Sequence, residues 1–396
     1  MVLREDLVVD VVVTRTEMSG FMRLAFCVFA LLLSNTSNHA AILPEDRADI
    51  MYHSYDGGGV KVDGPSVLVR KSYKDKVSVW ANYYVDMISS ASIDVVSTAS
   101  AYSEERAETT VGIDYLRGNT FFGLSFTNSE ENDYSSNTFN FGISQDFFGD
   151  LSTIGLSYGY GQDTVRRNGD DAFEEKLHRQ NFGVSFTQVI TKNLLVNLTY
   201  SGITDEGFLN NPYRTVRYAD SASPLGYAFE AELYPETRTS SAGAIRGVYY
   251  LPYRAALKME YRHFSDTWGI VADNGEIAYT HPLPNSLTLD VRYRYYTQTS
   301  ADFYSDLFPR VQAQNFLARD KELAAFTSNS FGIGISYEFG MKLLPFFTSG
   351  EINLSADYIQ FDYANFRDLT VVAPAGAEPF YQFNATVLRL FFSLRY

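Results

Sequence analysis

Apolar and polar side chains take turns along most of this chain of 396 residues. At its end, Leu388, Leu390, Phe392, Leu394 and Tyr396 share one parity, and Arg389, Phe391, Ser393 and Arg395 share the other. Successive residues of a strand point to opposite faces, so this segment has one greasy face and one mostly polar face. The pattern recurs at Val77–Met87, Phe122–Thr127, Ile154–Gly161, Leu287–Tyr296 and Phe331–Phe339. Segments of about ten residues with this alternation suit a membrane-spanning barrel, whose strands meet lipid on one side and an enclosed interior on the other.

Connections alternate in length. Short turns fall near Tyr73–Lys76, Arg117–Asn119, Phe147–Asp150, Ile190–Asn193, Leu251–Arg254, Pro282–Asn285 and Met341–Leu344. Longer loops are expected near 88–103, 129–134, 163–175, 205–238, 299–326 and 362–382, with a short exception at Ser265–Gly269. Short turns are periplasmic and long loops extracellular in such barrels. Fifteen strands are clear from Pro65 to Tyr396, and an upward strand near Asp49–Asp56 makes the number even. The fold class expected is all-β: one transmembrane antiparallel up-and-down barrel of sixteen strands, with fourteen as the alternative.

The N-terminus reads as an address. Arg23 precedes the apolar run Leu24–Leu33, and a polar stretch ending in Ala40 and Ala41 follows. This is the layout of a secretory signal peptide, too short to span a membrane as a helix. Residues 1–40 are assigned to it, with translation expected to start at Met18 or Met22, and residues 41–396 to the barrel.

Composition fits this picture. Aromatic residues make up 15 %, with 29 Tyr and 30 Phe, and these favour strands. The net charge of −15 argues against nucleic acid as a partner, since phosphate binding needs clustered Lys and Arg. Cys27, the single cysteine, lies in the apolar leader, which leaves no disulfide, thiolate metal site or Cys nucleophile downstream.

Several blocks carry a family resemblance: Tyr52–Lys71, Tyr83–Arg106, Asn210–Tyr218, Tyr234–Thr239, Tyr261–Ile270 and Tyr293–Tyr304. Together they resemble a proteobacterial family of outer-membrane proteins described as a domain of unknown function. The resemblance implies a Gram-negative outer-membrane location and supplies no ligand or catalytic residue. The last strand also resembles the signal read by the barrel-assembly machinery, with Phe392, Leu394 and Tyr396 as its residues. Outer-membrane lipid and lipopolysaccharide are the other expected partners.

Parity assigns charged residues to the lumen: Glu104, Arg106, Glu108 and Asp114; Lys258, Glu260 and Arg262; Asp290, Arg292 and Arg294. They either tune an aqueous pore or pair across strands to hold the wall. The small residues Gly155, Ser157, Gly159 and Gly161 suggest a close neighbour inside, either the 205–238 loop or crowding within the wall. No catalytic residue, cofactor or metal site is assigned. His53, His178, His263 and His281 form no H-x-x-x-H pair, and no G-x-S-x-G elbow occurs. The acidic pairs Glu130–Glu131 and Asp170–Asp171 lack the ligand spacing of a calcium loop. Two functions remain: a channel or transporter for small solutes, or a scaffold barrel filled by its own loops or by a periplasmic or lumen partner protein. An enzyme is not expected.

Overall fold

The computed structural model describes residues 42–90, 102–341 and 346–396. The leader assigned to 1–40 lies outside them. The strands are β1 (Arg47–Gly57), β2 (Val60–Tyr73), β3 (Val77–Ser90), β4 (Tyr102–Arg117), β5 (Thr120–Glu130) and β6 (Tyr134–Phe147). There follow β7 (Ser152–Arg167), β8 (Asp170–Thr191), β9 (Leu194–Gly207), β10 (Thr215–Ala219), β11 (Tyr227–Ala231) and β12 (Thr237–Tyr250). The last are β13 (Ala256–Asp266), β14 (Val271–Pro282), β15 (Leu287–Gln298), β16 (Phe326–Gly340), β17 (Ser349–Arg367) and β18 (Phe380–Arg395). Sixteen of these close into one barrel, each antiparallel to its neighbours, and β10 and β11 form a separate hairpin within the β9–β12 loop. Closure is made by β1 on β18, from Arg47 opposite Arg395 to Gly57 opposite Ala385. The strand expected near Asp49–Asp56 is therefore β1, and sixteen is the strand number.

Lipid cannot satisfy open backbone groups, so closure is what allows these strands to cross a bilayer. The outer face is apolar as the alternation requires: Leu388, Leu390, Phe331 and Ile333 are each about half exposed. This is an outer-membrane barrel, and its outward belt is its lipid surface. A further short connection, on the extracellular side, joins β1 to β2. Gly58 and Gly59 both take positive φ between β1 and β2, the left-handed pair that a two-residue hairpin needs.

Two expectations need correction. First, residues 163–175 are not a loop. β7 runs to Arg167 and β8 starts at Asp170, because alternation continues into a tight Asn168–Gly169 turn. Likewise 129–134 shrinks to the three residues between β5 and β6. Second, the lumen is not polar throughout. Towards the extracellular end the polarity of the faces inverts. On β17, Ile359, Phe361 and Tyr363 point inward and are buried, while Gln360 and Asp362 point out. On β18, Tyr381 and Ala385 are buried inside, while Gln382 and Asn384 are exposed. Past the lipid the outside meets water, and the inside meets folded loops.

Candidate functional site: the lumen and its outer closure

Among the described residues, three extracellular loops close over the mouth: 208–236, 299–325 and 368–379. The 299–325 loop carries a single turn of 3-10 helix, Lys321–Leu323, capped by the Asp320 carboxylate on the Glu322 N–H. Ala324 belongs to one buried core with Tyr55, Val60, Ile359 and Phe366 of the inverted wall. Leu323, Phe303 and Ala318 share a second core with Leu209 and Tyr234 of the first loop and with Tyr134, Val165 and Leu177 of the barrel. The two cores meet at Tyr304.

A buried ionic knot ties the loops together. Arg217, fully buried, donates to Glu378 Oε1 at 2.5 Å and to the Asp306 carbonyl at 2.8 Å, and also to the Asp306 carboxylate. Arg319 donates to Asp306 Oδ1 at 3.0 Å. The Arg367 backbone N–H reaches the same oxygen at 3.2 Å, and its guanidinium donates to the Glu378 carbonyl at 2.5 Å. Burial works against the Glu378 charge, but Arg217 outweighs it and holds the carboxyl below its usual range. Nearby, Glu232 accepts from the Arg319 N–H at 2.7 Å and the Tyr234 hydroxyl at 2.6 Å, while Arg214 pairs with Asp320 at 3.0 Å. Burial first, and then the Asp320 charge, push Glu232 up to about 7 against the pull of Arg214.

Below the closure the wall has two sides. Along β2 to β9 the inward polar residues are dry. Arg106, 1 % exposed, pairs with Asp86 at 2.7 Å. His53 Nε2 lies 2.8 Å from Asp86, and its ring stacks on Tyr84. Arg70 pairs with Asp114, and Arg179 with Asp205 at 2.6 Å. Trp80 lies so flat on Gly112 that a Cβ there would sit 2.3 Å from its ring, so this position needs glycine. The small strip on β7 has the same cause. A Cβ at Gly155 would meet Ser185 Oγ at 2.4 Å, and one at Gly159 would meet Asn140 Oδ1 at 2.7 Å. Neighbouring strands crowd the strip, not the 205–238 loop.

Along β12 to β15 the inward charges are half-buried and reach water. Arg246 donates to Glu260 at 2.5 Å, Lys258 meets Glu276 at 3.2 Å, and Arg292 donates to Asp357 at 2.5 and 2.8 Å. Asp357 on β17 and Arg389 on β18 are themselves buried and pair at 2.8 Å, so here the wet row is anchored in a dry pair. Thr280 donates to Asp290. Register sets Arg262, Asn274 and Tyr296 side by side across three strands, with Glu276 opposite Arg294 one step below.

All ten charges that parity assigned to the lumen sit on inward positions, with Arg106, Glu108 and Asp114 buried and the others intermediate. Glu104 differs in height from its strand-mates. It reaches the rim, where its carboxylate and those of Glu131 and Asp133 lie within 4.8 Å of one another. The Tyr213 hydroxyl donates to Asp133 there at 2.5 Å. Sequence reading put Asp86 and Arg389 on the polar face without naming them as lumen charges, and it did not single out Arg179, Arg246 or Asp357, although the same parity places each of them inside. It also missed Asp306 and Glu378, whose loops carry no periodicity. Phe392 and Leu394 lie on the outward face of the closing strand, and the Tyr396 hydroxyl donates to the Arg70 carbonyl at 2.9 Å. His263 points outward, 2.8 Å from Asp273.

The sequence profile of a family described as "Protein of unknown function (DUF3570)" matches residues 95–384. The chain belongs to this family. The DUF3570 match runs from the start of the β4 region into β18 and takes in all three closing loops. No curated protein matches the chain in sequence. Among solved structures, a bacterial polysaccharide outer membrane secretin aligns at 8 % identity and TM-score 0.49, over 89 % of this chain and 100 % of that one. A FadL homologue of Pseudomonas aeruginosa aligns at 10 % identity and TM-score 0.43, over 91 % and 94 %. The siderophore receptor PirA of the same organism aligns at 11 % identity and TM-score 0.42, over 89 % of this chain and 63 % of that one. No residue role is carried to the DUF3570 barrel from any of them.

Proposed function

We propose that this outer-membrane barrel is a passage for small polar solutes, with its outer mouth held shut by its own loops. The observation that carries this reading is the contrast between the two walls. Among the described residues, the inward rows of opposite charge along β12 to β15 keep contact with water, while Arg106, Asp86, Arg179 and Asp205 on the other side are buried. A barrel of sixteen strands has width for an aqueous path, and a charged wet wall is what tunes such a path. On this reading the protein moves solutes and performs no chemistry on them.

A second reading has its own support. The knot at Asp306 and Glu378 is buried and joins three loops, as a permanent plug in a scaffold barrel would be. Planar-bilayer recording separates the two. A passage gives stepwise chloride conductance, and replacing both Arg217 and Arg319 with Ala raises open time at least several-fold. Absence of steps in the native protein and in this loop variant alike, with the barrel folded, rejects the passage.

A further inference from the structure

We infer that a cavity at the outer rim binds a small organic cation, an ammonium group carried on a compact apolar body, with the Asp302 carboxylate and the Phe316 ring as its binding groups. The inference goes beyond the passage reading and holds whether or not the barrel conducts.

The cavity has a volume of about 340 Å³ and lies between the β13–β14 turn and the 208–236 and 299–325 loops. Its apolar lining is three aromatic rings. Trp268 meets Phe303 edge-on at 5.2 Å, and Phe303 meets Phe316 at 6.3 Å. Trp268 and Phe303 are buried, but Phe316 is 40 % exposed. A ring left at water in this way offers apolar area and a π face to a ligand.

The polar lining is rich in acceptors. Asp302 is exposed, and among the described residues none donates to its carboxylate or pairs with it. The fold nonetheless places that carboxylate. The Asp302 N–H donates to the Trp268 carbonyl at 2.8 Å. Gly269, at φ +86°, leaves the room it occupies, since a Cβ there would sit 2.3 Å from Asp302 Oδ1. Gln314 commits its amide hydrogens to the carbonyls of Phe303 and Phe316, at 3.1 and 2.8 Å, and keeps its own oxygen for a ligand. Asn315 offers a donor and an acceptor alike and leaves the balance unchanged. Arg238 lies 4.6 Å from the Trp268 ring centre, but it donates to Asp266 at 2.5 and 2.8 Å and so answers that carboxylate instead.

An uncompensated carboxylate, an amide oxygen and aromatic faces all favour one sign. Charge draws a cation to the carboxylate, and the ring quadrupole draws it to the aromatic face. An anion would meet Asp302 and be repelled, and a neutral polyol would leave that charge without a counterpart.

The chain has two tryptophans, and they make the test specific to the site. Trp268 lines the cavity, while Trp80 lies on Gly112 in the dry wall. Tryptophan fluorescence of the purified full barrel in detergent is titrated with cyclohexylammonium, with its neutral counterpart cyclohexanol, and with glucose. Equilibrium dialysis repeats each titration, so that binding silent in fluorescence is counted. The ammonium compound should bind saturably and about tenfold tighter than either neutral compound. Asp302→Asn, at an exposed side chain, should weaken the ammonium compound about fivefold and leave cyclohexanol unchanged. Phe316→Ala should weaken both. Heat-dependent gel mobility verifies that each variant is a folded barrel. No saturable binding of cyclohexylammonium overturns the site. Equal affinity for cyclohexanol, tighter binding of glucose, or an Asp302→Asn variant that binds the ammonium compound as the native protein does would overturn it equally.

Discussion

The two sides of the lumen share one strand geometry and one polarity rule, yet they hold their charges differently. On the β2–β9 side, Arg106, Asp86 and Arg179 are each within a few per cent of complete burial. On the β12–β15 side, Arg246, Lys258 and Glu276 keep solvent contact. A buried ion pair needs its partner, because a lone charge away from water is costly. A wet pair is replaceable, since water solvates whatever remains. The dry side is therefore a structural wall made of polar atoms. The wet side is where charge is available to something passing.

The largest effect should come from the dry side. Arg106→Met leaves Asp86 buried beside His53 without its guanidinium, and breaking such a pair costs about 3–5 kcal/mol. Urea unfolding of the protein in vesicles, followed by gel mobility, should show a loss of that order. A loss below about 1 kcal/mol, the range of exposed pairs, would mean that water reaches this wall and that the contrast is not real.

The closing loops give the next effect. Glu232 is buried, pushed up to about 7, and faces Asp320, Arg214, Tyr234 and the Arg319 N–H. The closed loops hold its proton more tightly than released loops would. Closure is then firmest below the ordinary glutamate range and weakens as pH rises through about 7. A shift of this size corresponds to about 3 kcal/mol at most. Protease cleavage within 208–236 should speed up from pH 5 to pH 8 in the native protein and stay flat in Glu232→Gln. A flat native profile would remove the Glu232 switch and make the mouth as fixed as the dry wall.

How much of this was legible in the sequence follows from range. Parity is local, so it placed Arg292 and Asp290 inside and Leu289 and Val291 outside, and it supported sixteen strands. Pairing is not local. Arg292 meets Asp357 across 65 positions, and Arg217 meets Glu378 across 161. Nothing in either short segment announces the other. The apolar upper lumen did leave a trace. In Tyr358–Tyr363 the inward parity turns greasy as the outward parity turns polar, which happens where a strand leaves lipid and its inside meets protein. Taking alternation as uniform hid that sign. The Gly155–Gly161 strip misled for a related reason. Small residues show that something is close, but not whether it is a loop or the next strand.

The smallest expected effect is the sharpest check of the wet wall. Glu260→Gln removes the carboxylate that Arg246 meets at 2.5 Å, with side chains 23 % and 13 % exposed. A pair this accessible contributes about 0–1 kcal/mol. Register also sets Glu260 directly opposite Glu276, and removing one of two facing like charges offsets part of the loss. The unfolding midpoint should hardly move. Selectivity should move instead, because one negative charge leaves a wall that already carries Arg262 and Arg294 just above. In a salt gradient the reversal potential of the variant should shift towards that of chloride. An Arg106-sized loss of stability with no change in reversal potential would show that Glu260 holds the wall and does not face a solute path, and the two sides of the barrel would then be alike.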